Sequence, residues 1–262
     1  MIEIDAAIII LITVSFIAGF IDSIAGGGGL LLIPALLFAN IPPQMALGTN
    51  KFAATLGTAV ALINFVRNKQ VVWKIISIGI LFSFVGAWLG SKAILIFSND
   101  VAGKIIIFLL PIGILITLIP KKERTSEEDF PIEGLKIKVP LVCFPIGFYD
   151  GFFGPGTGSF LIMFFYLLLG MNLVKASGTS KVFNLASCVS ALIVFSINSQ
   201  VLFSFGIPLA IANIAGNYVG SSLAITAVRL RVNKKVQNFQ GLCYGIFTQH
   251  PTTKGNFGHG TP

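Results

Sequence analysis

Five apolar stretches of about twenty residues dominate the hydropathy pattern of this chain. They cover residues 45–65, 74–97, 103–120, 176–197 and 203–227. A helix of about 20 apolar residues is long enough to cross the ~30 Å hydrocarbon core of a bilayer. The pattern therefore predicts five membrane-spanning helices, three in the first half of the chain and two in the second.

Two further apolar regions are interrupted by glycine. Residues 6–39 would make a single helix of about 50 Å, but four consecutive glycines at 26–29 break it. We therefore predict two broken or re-entrant helical hairpins, since irregular backbone at membrane depth must be buried in protein or line a cavity. The predicted arms are 6–21 with 30–39, and 140–150 with 159–170.

Three motifs of the first half return in the second at an offset of 128 or 130 residues. GFIDSIAGGGG at 19–29 returns as GFYDGFFGPGT at 147–157, ALGTNK at 46–51 as ASGTSK at 176–181, and VGAWLGS at 85–91 as AGNYVGS at 215–221. This regularity indicates two copies of one unit. The last pair contains G-x-x-x-G in both copies, which predicts close helix packing.

The end of the chain departs from the repeat. The helix at 103–120 should recur near 233–250, but NKKVQNFQGLCYGIFTQH is too polar to span a bilayer. Three explanations stay open: a frameshift or artificial end, a degenerate paralogue, or a genuine soluble tail. The predicted divisions are a first membrane repeat at 1–120, a charged cytoplasmic linker at 121–138, a second repeat at 139–232 and a polar tail at 233–262.

Composition and charge agree with a membrane protein. Hydrophobic residues make up 55% of the 262 residues and charged residues 11%. The net charge of +8 comes from basic residues clustered in loops at 67–74, 121–138 and 229–235, which follows the positive-inside rule and implies no nucleic-acid partner. These loops share one side only if each hairpin turns back. We therefore predict an all-α integral membrane protein with two inverted repeats, cytoplasmic basic loops and an outer N-terminus.

Four charged residues fall at membrane depth in matched positions: Asp22, Lys51, Asp150 and Lys181. Placing a charged side chain at the centre of a membrane helix costs at least ~2.5–3.5 kcal/mol, which suggests that these residues have a functional role. One interpretation is an Asp–Lys ion pair in each half that only clamps the fold. The other is that the lysines bind a substrate while the aspartates orient them or carry protons.

The glycine runs suggest an anion site. A helix that begins directly after them presents unpaired N–H groups and the positive end of its dipole. The alternative is that the glycines only permit tight packing and chain reversal. The glycines proposed to bind substrate are Gly26, Gly27, Gly28, Gly29, Gly154 and Gly156.

Each lysine begins a polar stripe on its helix. Lys51 is followed by Thr55 and Thr58, and Lys181 by Asn184 and Cys188. Hydroxyl and amide groups near the lysines or the glycines are further candidate ligands, although such groups in membrane helices often bond their own backbone. The remaining predicted binding residues are Thr49, Asn50, Thr157, Thr179, Ser180 and Asn184.

The sequence gives little support for an enzymatic function. The only histidines, His250 and His259, lie in the anomalous tail, so a Ser–His protease or a His-ligated metal centre lacks its central parts. Ser159 is therefore not expected to be a nucleophile. The glycine runs lack a Rossmann context, and the three cysteines have no C-x-x-C spacing and are expected to be small buried residues. No cofactor or metal is predicted.

The motifs resemble the TauE/SafE sulfite-exporter family of bacterial membrane proteins, over about residues 8–228. The residues that carry the resemblance are GFIDSIAGGGGLLLIPALL, ALGTNKFAATLGT, VVW at 71–73, GFYDGFFGPGTGSF and ASGTSKVFNLAS. The resemblance implies a multi-pass inner-membrane protein that exports sulfite or organosulfur anions such as sulfoacetate. The family has another membrane helix at the C-terminus, where this chain departs.

Together these observations predict a secondary transporter of small anions, most simply sulfite or organosulfonates, that works by alternating access and is linked to protons. The expected partners are the small-anion substrate and the lipid bilayer. A membrane scaffold without transport and a passive anion channel are the alternatives. The sequence contains no pattern that determines the oligomeric state.

Overall fold

A computed structural model describes the backbone of residues 2–118 and 134–248 and the side chains of residues 8–117 and 134–227. Within these ranges the chain forms nine helices and no strand, which confirms the all-α prediction. The helices are α1 (Ile2–Ala25), α2 (Gly29–Phe38), α3 (Pro43–Arg67), α4 (Trp73–Leu95), α5 (Asn99–Leu118), α6 (Leu135–Phe152), α7 (Thr157–Leu168), α8 (Leu173–Ile197) and α9 (Phe203–Thr248). Helices α1 to α8 and residues 203–225 of α9 belong to one compact unit, and residue 226 begins a second.

Five helices of the described chain are long and apolar enough to cross a membrane. Four of them, in α3, α4, α5 and α8, coincide with predicted spans. The fifth lies at Ile8–Ala25, where only one arm of a hairpin was predicted. Residues 203–227 are helical but fall outside this set, because Asn213, Asn217 and the neighbouring serines and glycines dilute the apolar character of α9.

Both predicted interruptions occur at the glycines. Helix α1 ends at Ala25, three residues beyond Asp22 and later than the predicted arm, and α2 begins at Gly29. Gly26 has φ of 82°, in the left-handed region that glycine adopts without strain. Gly28 then packs against the Ala18 carbonyl group, so the chain turns back along α1. The second interruption, between Phe152 and Thr157, separates α6 from α7.

The returning arms are too short to cross a bilayer. Helix α2 has 10 residues and α7 has 12, so they extend about 15 Å and 18 Å. The hydrocarbon core is ~30 Å thick, so each returning arm is about half as long as the core is thick.

The predicted linker at 121–138 overlaps the next helix. Helix α6 already begins at Leu135, and its N-cap residue Gly134 has φ of 85°. Residues 119–133 lie outside the described part of the chain, and the linker stays a prediction. The predicted tail boundary at 233 falls inside α9, which continues to Thr248.

The two G-x-x-x-G faces pack closely, as predicted, and each binds the other half of the chain. In α4, a Cβ atom on Gly86 or Gly90 would overlap the carbonyl oxygen of Phe144 or Phe148 in α6. The same contact recurs at the repeat offset with the halves exchanged: Gly216 and Gly220 of α9 lie against Phe16 and Phe20 of α1. Only glycine permits this close approach, so the G-x-x-x-G motif of each half specifies its contact with the other half.

The helices that carry the lysines lie deepest. Of the five candidate spans, α8 and α3 have the largest buried fractions, and α5 has the smallest. Cys143 and Cys188 are free, buried thiols, as expected from the sequence. Cys243 lies outside the residues whose side chains are described.

Candidate functional site

The four charged residues at membrane depth form two ion pairs, and each pair joins the two halves. Lys51 Nζ lies 2.8 Å from Asp150 Oδ2, and Lys181 Nζ lies 2.6 Å from Asp22 Oδ2. The sequence-based interpretation of a pair within each half is therefore wrong. The partners are exchanged because α1 ends against α8, where Ser177 Oγ donates to the Ser23 carbonyl oxygen.

Each lysine lies at the C-terminal end of a broken helix. Lys181 Nζ donates to the Asp22 carbonyl oxygen at 2.6 Å, in the last turn of α1. Lys51 Nζ packs against Gly154, directly after α6. The end of a helix carries unpaired carbonyl groups and a partial negative charge, which an ammonium group neutralises. Each lysine thus compensates the negative charge of a carboxylate and the partial negative charge at the end of a helix.

A polar side chain from the lysine stripes completes each pair. Thr58 Oγ1 lies 3.5 Å from Asp22 Oδ2. At the equivalent position of the second half, Cys188 Sγ lies 3.8 Å from Asp150 Oδ2 and 3.9 Å from Lys51 Nζ. We refer to Asp22, Thr58 and Lys181 as the Asp22 cluster, and to Lys51, Asp150 and Cys188 as the Asp150 cluster.

The two clusters differ in exposure. The Asp22 side chain is 14% exposed, whereas the Asp150 side chain is 2% exposed. Both lysines are buried. The Asp22 carboxylate is therefore the less buried of the two.

The glycine turns of the two hairpins touch each other. The backbones of Gly26 and Gly158 are in contact, and the amide of Ser159 donates to the Gly26 carbonyl oxygen at 3.2 Å. Ser159 Oγ donates to the Ala25 carbonyl oxygen and lies 3.2 Å from Thr117 Oγ1. These contacts bring the two hairpin turns together.

The remaining predicted ligands fall into three groups. The Thr49 and Thr179 hydroxyls accept the amides of Leu202 and Val72, at 3.1 and 3.0 Å, so each anchors a loop of the opposite half. Local backbone contacts hold Thr157 and Ser180, whose hydroxyls donate to the carbonyl oxygens of Gly154 and Ser177, both at 2.7 Å. Asn184 Oδ1 lies 3.9 Å from Cys188 Sγ.

Asn50 differs from these residues. Its side chain is buried, at 6% exposure for the residue, and its Nδ2 atom faces Gly29 at the start of α2. Among the described residues, no hydrogen-bond partner is found for its amide group. The side chain of Asn50 therefore places an amide donor beside the N-terminus of α2.

Sequence reasoning missed the part played by Thr117. This α5 residue packs against Gly27 and joins Ser159 at the meeting point of the two turns. The repeat comparison had no means of finding it, because its counterpart falls near position 247 in the divergent tail.

Sequence reasoning also missed Asn213 and Asn217 in α9. Asn213 Nδ2 donates to the Ser15 carbonyl oxygen at 3.1 Å, and Asn217 Nδ2 donates to Asn213 Oδ1 at 2.9 Å. Two polar residues at i and i+4 on an apolar helix were the available signal.

Comparison with known proteins identifies relatives over most of the chain. The sequence model of the family described as sulfite exporter TauE/SafE matches residues 11–234. A probable membrane transporter protein of Haemophilus influenzae is 41% identical over 223 residues, covering 83% of this chain and 85% of the relative. The probable membrane transporter protein YfcA of Escherichia coli K12 is 38% identical over 221 residues, covering 83% and 80%. No solved structure matches the chain.

Proposed function

Because the chain belongs to the sulfite exporter TauE/SafE family and is a membrane transporter, we propose that it carries small sulfur-containing anions, either sulfite or organosulfonates, across the bacterial inner membrane. Family membership favours transport over the scaffold that the sequence left open. The substrate class is supported by the family's description and by the two lysines at membrane depth.

The observation that carries this proposal is the pair of buried Lys–Asp contacts between the halves. Each pair is neutral as a whole, so an anion that approaches a lysine competes with the carboxylate already bound there. A proton that neutralises Asp22 or Asp150 frees the charge of its lysine for the anion. Anion and proton binding are then linked, with the lysines as ligands and the aspartates as proton carriers.

Alternating access provides the path. In this proposal the halves are inverted repeats, the basic loops face the cytoplasm and the N-terminus faces outward. The contacts of Gly86 with α6 and of Gly216 with α1 support the scheme, because equivalent surfaces of the two repeats join the halves. A conformational change at the α4–α6 interface then has an equivalent change at the α9–α1 interface.

The test is flux of sulfite, sulfoacetate and a carboxylate control into proteoliposomes that contain the purified chain, with and without a pH gradient. We expect saturable flux of the sulfur anions that responds to the gradient. Selective flux without any response to the gradient would remove the proton link. Unsaturable flux would indicate a channel, and no flux from folded protein would overturn the proposal.

Paired substitutions separate binding from clamping. Lys51→Gln with Asp150→Asn removes both charges and leaves no carboxylate unpaired, so we expect folded protein in normal yield and no transport. If the pair only clamps the fold, this double variant transports like the wild type. Thr13→Ala, on the exposed face of α1, is the control for protein handling.

A further inference from the structure

The glycine turn that leads into α2 presents three consecutive backbone amides without a partner in the described part of the chain. Among the described residues, none accepts a hydrogen bond from the N–H groups of Gly27, Gly28 or Gly29. The next amides are occupied, since Leu30 and Leu31 donate to the carbonyl oxygens of Gly27 and Gly28, both at 3.1 Å. Gly27 and Gly28 are buried. Buried amides without partners are rare in proteins, and a run of them at a helix N-terminus favours an anion.

Asn50 provides a second, independent observation at the same place. It is buried, its Nδ2 atom faces Gly29, and its amide group has no partner in the described chain. The neighbouring Gly154–Pro155 segment connects this position to the Asp150 cluster, because Pro155 packs against Gly29 while the Lys51 ammonium group packs against Gly154. Backbone amides, a side-chain amide and an ammonium group therefore lie around one segment.

The equivalent turn of α7 is built differently. The amides of Thr157 and Ser159 already donate to the carbonyl oxygens of Gly154 and Gly26, each at 3.2 Å. Ser180 stands where the first half has Asn50, and its hydroxyl donates to the Ser177 carbonyl oxygen. Of the three positions equivalent to Gly27, Gly28 and Gly29, Pro155 has no N–H group and Thr157 uses its own inside the protein. Among the described residues, only the Gly156 amide of these three is left without an acceptor.

We propose that the transporter has one oxyanion-binding turn and not two, formed by Gly27, Gly28, Gly29 and Asn50. The α7 turn instead braces it through Ser159. This inference rests on the proposed function, since it places the sulfite or sulfonate group of the same substrate. Asn50 holds an anion oxygen through Nδ2, and Lys51 supplies the positive charge nearby.

The decisive variant is Asn50→Ser, which gives the first half the residue that the second half already has. Because Ser180 is accommodated at the equivalent position, we expect the variant to fold. A hydrogen bond to a charged group contributes enough that its loss should weaken sulfite and sulfoacetate binding about tenfold or more. Isothermal titration of the full chain in detergent with each anion measures the change.

Gly29→Ala tests the backbone part of the site. The new methyl group would lie 3.3 Å from Pro155 Cα and 3.4 Å from Asn50 Nδ2, and Thr157 shows that a side chain fits at the equivalent position. We expect weaker binding at unchanged melting temperature. Ser180→Ala provides the comparison in the second half, and we expect it to bind both anions with wild-type affinity.

The outcomes separate this inference from the proposed function. Wild-type protein that binds neither anion would overturn both. If the wild type binds and Ser180→Ala weakens binding as much as Asn50→Ser, the claim of a single turn is wrong and the transport proposal survives. If Asn50→Ser and Gly29→Ala both bind like the wild type, the anion lies elsewhere.

Discussion

The Asp22 and Asp150 clusters are built from equivalent positions of the two halves, but only the Asp22 cluster is partly exposed. Each pairs an aspartate with the lysine of the other half, and a side chain from the lysine stripe completes it. The Asp22 carboxylate is nevertheless partly exposed, whereas Asp150 is sealed. A repeat can therefore preserve an arrangement of charges while allowing the two copies to differ in access.

Under the alternating-access proposal, this difference corresponds to one of two states of the transporter. If the halves exchange conformations during transport, the sealed cluster of one state becomes the open cluster of the other. The hairpin turns show a more permanent difference, because Asn50 and Ser180 are different residues and no conformational change makes them alike. Exposure and chemistry are thus separate sources of asymmetry.

Removing single lysines should have the largest effect, and the effect should be unequal. Lys51→Ala leaves Asp150 buried and uncompensated, a change that costs about 3–5 kcal/mol in other proteins. Lys181→Ala leaves Asp22 with Thr58 and partial exposure, so we expect a smaller loss. Thermal unfolding of both variants in the same detergent measures the difference. A larger loss in Lys181→Ala would contradict the contrast between a sealed and an open cluster.

Substitutions at the two G-x-x-x-G contacts between the halves should destabilise the protein to the same extent. Gly86→Ala and Gly216→Ala each place a methyl group against a carbonyl oxygen of the opposite half, and overpacking of this kind costs about 1–3 kcal/mol. We expect similar falls in melting temperature for the two variants. Gly103→Ala, which meets only the Pro43 ring at 3.3 Å, is the control. Unequal losses would show that the asymmetry extends to the helix interfaces.

Chemical labelling should show the smallest effect and report on exposure directly. A hydrophobic carbodiimide reacts with protonated carboxyl groups, and we expect Asp22 to be modified several-fold faster than Asp150. Peptide mass spectrometry measures both rates in one sample, and Asp22→Asn identifies the labelled peptide. Equal rates would mean that the two clusters exchange exposure quickly, or that the difference between 14% and 2% has no consequence in the membrane.

Much of the fold followed from local patterns. Long apolar runs predicted α3, α4, α5 and α8 because crossing a bilayer requires about 20 such residues. The glycine runs predicted both breaks, since only glycine adopts the backbone of Gly26 and Gly154 easily. The predicted span at 203–227 is helical, but its hydropathy is too low for a candidate membrane span. The reason is that asparagines that pack inside the protein interrupt its apolar residues.

The sequence by itself identified the four charged residues of the candidate site, because charge within a membrane-spanning stretch is costly and each such residue stands out against apolar neighbours. Tertiary structure alone decided how they combine. The exchange of Lys–Asp partners, the hydrogen bond from Ser159 to Gly26 and the position of Asn50 beside Gly29 all depend on which helix faces which. The period of a single helix shows which side of it is polar, but not the identity of the surface opposite.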